Sequence, residues 1–124
     1  FAARGGIKSK GYKYAGSNSV DNVAWYYDNC YVDGRKVRKV ATKKANELNI
    51  YDMSGSVQEW CSDWFEWFDS SSQTDPKGPS SGTGHVIRNG SWENGAAVLI
   101  TSYRAMSEVN SRSVGYGLRL GMDY

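Results

Sequence analysis

Turn-forming clusters recur along this chain too often for any long helix to fit between them. GYKYAGSNSVDN, YVDGRKV, DMSGSV, DPKGPSSGTGH and SVGYG concentrate Gly, Asn, Asp and Ser. These residues accept left-handed backbone or bond their own main chain. Between the clusters lie VAWYY, KVRKVAT, HVIRNGSW, VLITSYRA and GLRLGM, the strand candidates. No window of helical length carries apolar residues at three- and four-residue spacing. The expectation is a fold of short strands whose irregular connections form much of the surface, where binding residues tend to lie. One polar stretch, DSSSQTDPKGPSSGTG, is long enough to be an ordered excursion rather than a tight turn.

With 124 residues the chain can build one modest core, so residues 1–124 are read as a single domain. Five Trp and nine Tyr exceed what such a core needs, which places some rings at the surface. The apolar run AAVLI is far short of the roughly 20 residues a membrane helix requires, so no membrane span is expected. Phe1 opens no signal-peptide pattern. A start at Phe, within FAARGG, suggests a piece cut from a longer protein.

A net charge of +2 implies no polyanionic partner. The basic residues gather in RKVRK, 35 to 39, and at Lys43 and Lys44, with neither stacking aromatics nor a groove-reading helix beside them. They read as a solvated hairpin, and nucleic acid is not an expected partner. Cys30 and Cys61 have no Cys-x-x-Cys spacing and specify neither a zinc site nor a disulfide framework. Both are expected reduced, with Cys61 buried, and a single bridge stays open as the alternative. His85 is the one histidine, which leaves nothing for an imidazole metal site or a Ser-His-Asp triad; it is read as a loop or strand-end residue. In EWCSDWFEWF, Trp60, Trp64 and Trp67 stand four and three apart, the spacing of a helix face, and read as core. Trp67 and Phe68 are the expected exposed pair. The glycine patterns GYG, GTG and GSVQ lack the Lys-Ser or Lys-Thr of a phosphate loop.

FAARGG, NELNIYDMSGSVQEWCSDW, DPKGPSSGTGHVIRNGSW and finally GLRL occur here in an order that resembles the formylglycine-generating enzyme, or sulfatase-modifying factor, family. The resemblance runs almost end to end. It implies an α+β, C-type lectin-like fold with short strands and many loops. In the family AARGG follows a helical segment that this chain lacks, so the N-terminal part of the domain is expected to be missing. The resemblance also implies a structural calcium ion, held by side-chain oxygens of Asp52 and Glu59 and main-chain carbonyls of Gly55 and Val57. Such an oxygen set suits a hard cation. Ser56 and Gln58 depart from the Asn and Trp usual in that loop. Without calcium, Asp52 would bond nearby amides and Glu59 would pair with Arg or Lys.

The family's oxidases hold a redox metal on two closely spaced cysteines just after the GSW-like motif. Here that interval is ENGAAVLITSYR, read as a strand and surface element, and no cysteine stands in it or after it. No redox cofactor is expected. The ergothioneine-synthesis oxygenases of the same family need a His-rich iron site that one histidine cannot supply. Nor are the Glu-Pro-Asn or Gln-Pro-Asp tripeptides of calcium-dependent sugar lectins present.

The stretch from RNGSW to GLRLG is similar to the variable region of proteins from diversity-generating retroelements, which use this fold. Gly95, Ala97, Val98, Ile100, Ser102, Ala105, Ser107, Asn110, Ser113, Val114 and Gly115 are types that adenine-randomised codons yield. Trp92, Tyr103, Arg104, Arg112 and Arg119 read as fixed points, and Glu93, Met106 and Glu108 fall outside that codon class. The leading expectation is a non-catalytic ligand-binding module that presents about 89–116, with Trp92 and Tyr103, to a protein or cell-surface ligand. A surface-displayed, phage-borne or secreted location would follow. The alternatives are a formylglycine-generating oxidase and a structural domain of a larger surface protein in which the patch is buried.

Overall fold

The computed structural model describes residues 1–31, 34, 36–68, 71, 72, 74, 76 and 78–121. Arg35 at the head of the basic stretch, Asp69, Ser70, Gln73, Asp75 and Lys77 of the polar excursion, and Met122 lie outside the described residues.

Its centre is a four-stranded sheet, β1 (Gln58–Trp64), β2 (Gly84–Arg88), β3 (Ala105–Glu108) and β4 (Tyr116–Gly117), in the order β3-β2-β1-β4. β2 pairs antiparallel with both β1 and β3, while β4 joins β1 in parallel. Two single-turn helices, α1 (Val20–Val23) and α2 (Tyr27–Cys30), and short 3-10 turns at Ala2–Arg4, Gly6–Lys8 and Ala96–Val98 lie outside the sheet. No helix among the described residues is long and apolar enough to cross a membrane.

The tryptophan spacing of four belongs to a strand, which corrects the helical reading of EWCSDWFEWF. Trp60 stands opposite Ile87 and Trp64 opposite His85, so four positions on β1 are matched by two on β2 and the strand bulges between them. Both indoles therefore meet the His85 ring, Trp64 stacked at 4.0 Å and Trp60 edge-on at 6.4 Å. His85 Nδ1 lies 3.0 and 3.3 Å from the carbonyls of Ser62 and Asp63 in the bulge. Carbonyl oxygens only accept, so Nδ1 carries the proton and ties the bulge down. As a strand-start residue His85 matches its expected role. Trp67 and Phe68 are 84% and 77% exposed, the pair expected at the surface.

Other strand candidates did not form strands. VAWYY runs from α1 through an extended link into α2, because Asn29 Oδ1 accepts from Tyr26 N–H at 2.9 Å and starts a helical turn. KVRKVAT has no ladder partner and turns at Val40 and Ala41. The basic bunch is not a solvated hairpin throughout: Lys43 Nζ sits 4.1 Å from the Trp25 ring centre and donates to Asp21 O, with the Arg38 guanidinium 5.4 Å from the same ring. In VLITSYRA only Ala105 enters a strand, since Ala96–Val98 form a 3-10 turn that drives Leu99 inward. Cys30, not Cys61, is the fully buried thiol; Cys61 is half-buried, and both are free.

The core is small: Tyr14, Val23, Ala24, Tyr26 and Leu99, with Val20, Ala96, Val98 and Ile100 packed around it. Leu99 has no solvent exposure, and burying such a side chain contributes roughly 1.5–3 kcal/mol. Leu99→Ala is expected to lower the unfolding free energy by about 2–5 kcal/mol, seen as a lower urea midpoint.

Candidate ligand surface

The C-terminal surface rests on the turn Ser91–Asn94. Asn94 Oδ1 accepts from both the amide and the hydroxyl of Ser91, at 2.8 and 3.0 Å, and Asn94 N–H returns to Ser91 O at 3.0 Å. Asn94 O takes the amide of Tyr27, and Ser56 O takes that of Trp92, which joins this turn to α2 and to the DMSGSV loop. Farther on, Arg88 Nη1 donates to the carbonyls of Thr101 and Tyr103, and Thr101 N–H bonds Lys13 O. The interval 92–104 is thus a loop pinned at several points rather than a strand.

Of the sequence-derived display residues, Gly95, Ala97, Ser102, Asn110, Ser113 and Val114 are exposed. Trp92, Val98, Ile100, Tyr103 and Ala105 are half-buried. Ser107 and Gly115 are corrections, for both are buried. The Ser107 hydroxyl donates to Tyr116 Oη at 3.1 Å, and a Cβ at Gly115 would come within 2.9 Å of Ser91 Oγ and Glu93 Oε2. Side chains at these two positions face neighbours, not solvent. Alternation along β3 hides Ser107, a signal visible only once the strand's inward face is known.

Sequence reasoning missed the aromatic shelf beside this surface. The Arg104 guanidinium lies 3.7 Å from the Phe68 ring centre and 5.0 Å from that of Phe65, and it donates to Glu66 O. Phe65, Trp67, Tyr103, Arg104 and Met106 line one side of an open groove. The Trp67-Phe68 pair and Arg104 had been noted separately; only the β1-β2-β3 order brings them together.

The four residues of the implied calcium set lie on a buried loop and the start of β1. Asp52, at φ +57°, accepts the Ala41 amide on Oδ2 at 2.7 Å, while its buried Oδ1 has no hydrogen-bond partner. Glu59 is engaged by Arg119, whose Nε lies 3.0 Å from both carboxylate oxygens and whose Nη2 donates to the carbonyls of Tyr51 and Asp52. Gly55 has φ +76°, and a Cβ there would meet Trp25 O at 2.4 Å, so this position requires glycine. Among the described residues no three His, Cys, Asp or Glu side chains converge.

A cavity of about 230 Å³ separates the sheet from the C-terminal segment, with Trp60, Cys61, Arg88, Tyr103 and Arg119 in its wall. Burial pushes the Cys61 thiol above its ordinary range; Arg88 opposes this, and Asp63 and Glu59 add to it. A thiol so placed is a weak nucleophile at neutral pH. Cys61 is therefore expected to react with a maleimide more slowly than a free cysteine peptide at pH 7, with the gap narrowing above pH 9. Rates measured across pH check this, and Cys61→Ser should remove the accessible signal.

Residues 1–124 match the sulfatase-modifying factor enzyme 1-like domain. Chaperone protein LppX of Paenibacillus barcinonensis is 33% identical over 134 residues, covering 97% of this chain and 45% of that protein. The formylglycine-generating enzyme of Streptomyces coelicolor is 31% identical over 104 residues, 74% of this chain and 33% of the enzyme. Among solved structures, Treponema denticola variable protein 1 superposes with a TM-score of 0.84 at 34% identity, over 94% of this chain and 42% of that one. The chain spans less than half the length of each of these relatives.

Proposed function

This chain belongs to the sulfatase-modifying factor enzyme 1-like domain family and has its C-type lectin-like α+β fold; from that premise we propose that it is a non-catalytic module displaying a variable C-terminal surface to a protein or cell-surface ligand. The likeness to the Treponema variable protein is the observation that carries the reading. The pattern of burial supports it. Gly95, Ala97, Ser102, Asn110, Ser113 and Val114 stand in solvent, while Leu99 between them is sunk in the core. Such a surface can change its side chains without disturbing what holds it. Ser107 and Gly115 are left out of it. A surface-displayed, phage-borne or secreted location suits this role.

The absence of any cysteine after Cys61 supports the non-catalytic part of the reading, because the paired thiolates of the family's oxidases have no counterpart in 93–124. The likeness to the Streptomyces enzyme favours a second reading, a formylglycine-generating oxidase. Incubation with copper, oxygen and a cysteine-containing sulfatase peptide separates the two, and any formylglycine produced sinks the first.

Simultaneous replacement of Ala97, Ser102, Asn110, Ser113 and Val114 by other polar or small residues should change the unfolding free energy by no more than about 0.5 kcal/mol per site, while altering which ligand is bound. Loss of folding in most members of such a library would show the positions to be structural and would favour the domain-packing alternative.

A structural calcium ion at Asp52, Gly55, Val57 and Glu59 stays part of the proposal. The unpartnered Asp52 Oδ1 supports it; the Arg119 guanidinium, which already neutralises Glu59, stands against it. If the ion binds, millimolar calcium raises the thermal midpoint and Asp52→Asn removes the rise. Equal midpoints in calcium and in chelator remove the ion from the proposal.

A further inference from the structure

Where the N-terminal loop meets the interval 92–104, Arg4, Ser9, Tyr12, Lys13, Thr101 and Ser102 line a cavity of about 330 Å³. Two cations and four hydroxyls thus border one space. Both of its sides are fixed. Thr101 N–H bonds Lys13 O at 3.0 Å, the Lys13 amide bonds Asn18 Oδ1 at 2.9 Å, and Arg88 Nη1 holds Thr101 O at 3.3 Å. Tyr14, next to Lys13, and Leu99, two residues before Thr101, both sit in the core. Gly11, at φ +70°, turns the chain between Ser9 and Lys13, and its amide donates to Ser9 Oγ at 3.3 Å. That bond uses the oxygen of Ser9 as acceptor and leaves its hydroxyl proton for a ligand. Arg4 and Lys13 are exposed, so a ligand can reach both.

The chemistry of this wall selects an anion. Residues 1–20 carry Arg4, Lys8, Lys10 and Lys13 and no acidic residue. Glu47 packs against the segment, but one of its carboxylate oxygens accepts the Lys10 amide at 3.1 Å and the other is buried beside Gly5. A guanidinium fork, an ammonium point charge and hydroxyl donors are what an oxyanion needs to exchange for its water. A carboxylate, a sulfate ester or a phosphodiester carries one charge and leaves one cation unmatched. A phosphate monoester carries about −1.5 to −2 at neutral pH and matches both. Size agrees, since 330 Å³ stands at the lower end of the roughly 300–1,000 Å³ of small-molecule sites. One phosphate group does not fill it, and a body the size of a sugar has room beside the anion.

We propose that this cavity binds a phosphate dianion, with Arg4 and Lys13 holding the charge and the hydroxyls of Ser9, Tyr12 and Ser102 donating to its oxygens. The dianion can be inorganic phosphate or the monoester end of a sugar-sized molecule. Ile100, also in the wall, and Ser102 belong to the display positions, so assigning this anion to the displayed surface's ligand rests on the display reading. Arg4 and Lys13 stand outside those positions. Substitution at Ile100 and Ser102 would then change what surrounds an anion held by constant residues.

The test is a titration of the whole chain, at constant ionic strength, with glucose 6-phosphate, inorganic phosphate and glucose, following the Gly11, Lys13 and Ser102 amide signals by NMR. Saturable shifts are expected with both phosphate compounds, and binding of glucose at least about tenfold weaker. Equal affinity for the two identifies the free anion as sufficient; tighter binding of the ester identifies a phosphorylated sugar. Arg4→Gln and Lys13→Gln should each weaken binding about fivefold or more, with the remaining amide spectrum, which reports the fold, unchanged. Lys8→Gln and Lys10→Gln remove the same charge outside the wall and should weaken it less than about twofold. No saturable shift with either phosphate compound, equal binding of glucose, or equal weakening by all four substitutions overturns the site. These titrations use the unaltered display positions, so a substitution library that fails to fold would sink the display reading and leave this result standing.

Discussion

The structure depends on a polar loop that runs where an apolar one would be expected. Residues 52–57, DMSGSV, are largely buried, and Asp52, Gly55 and Ser56 all adopt left-handed backbone. Buried main-chain groups without partners would cost several kcal/mol, so the loop is stable only because distant segments come to meet it. Gly55 N–H reaches Asn89 O, Ser56 N–H reaches Trp25 O, and Ser56 O takes Trp92 N–H. The Ser54 hydroxyl, wholly buried, accepts from Ala15 N–H and donates to Leu99 O, stitching the N-terminal loop to the core leucine. With so small an apolar core, these bonds fix the segments around Ala15, Trp25, Asn89, Trp92 and Leu99 to one another.

Around this hub Arg119 reaches in from the surface. Its guanidinium gathers the Glu59 carboxylate and the carbonyls of Tyr51 and Asp52, and of these only the Glu59 side chain belongs to the implied calcium set. Its planar fork of donors suits that geometry. The surface proposed for display begins one bond away from the hub, at Trp92, whose N–H is held by Ser56 O.

Much of this was legible in the sequence. Turn clusters announced short strands joined by irregular loops, and the ordered motifs led to the fold. Six display positions proved exposed, and Trp67 with Phe68 fell at the surface as the polar residues after them implied. What could not be read was register. The bulge in β1 lets a spacing of four serve a strand, so the tryptophan pattern pointed to a helix. Short apolar runs such as VLITSYRA carry the same composition whether they pair or curl, and a 3-10 turn at Ala96–Val98 decided the matter. The meeting of α2 with the Ser91–Asn94 turn was invisible too, because Tyr27 and Asn94 lie far apart in the chain and the Tyr27 N–H on Asn94 O joins them.

The parallel pairing of β4 with β1 sets an order of events during synthesis. Gln58 and Glu59 find their partners at Tyr116, Gly117 and Arg119, so a chain emerging from the ribosome carries the hub's acidic edge unmatched until the stretch some sixty residues later has followed it out. Closure of so distant a pairing is slow compared with local turns. For that interval the nascent chain exposes the edge of β1 that β4 later covers.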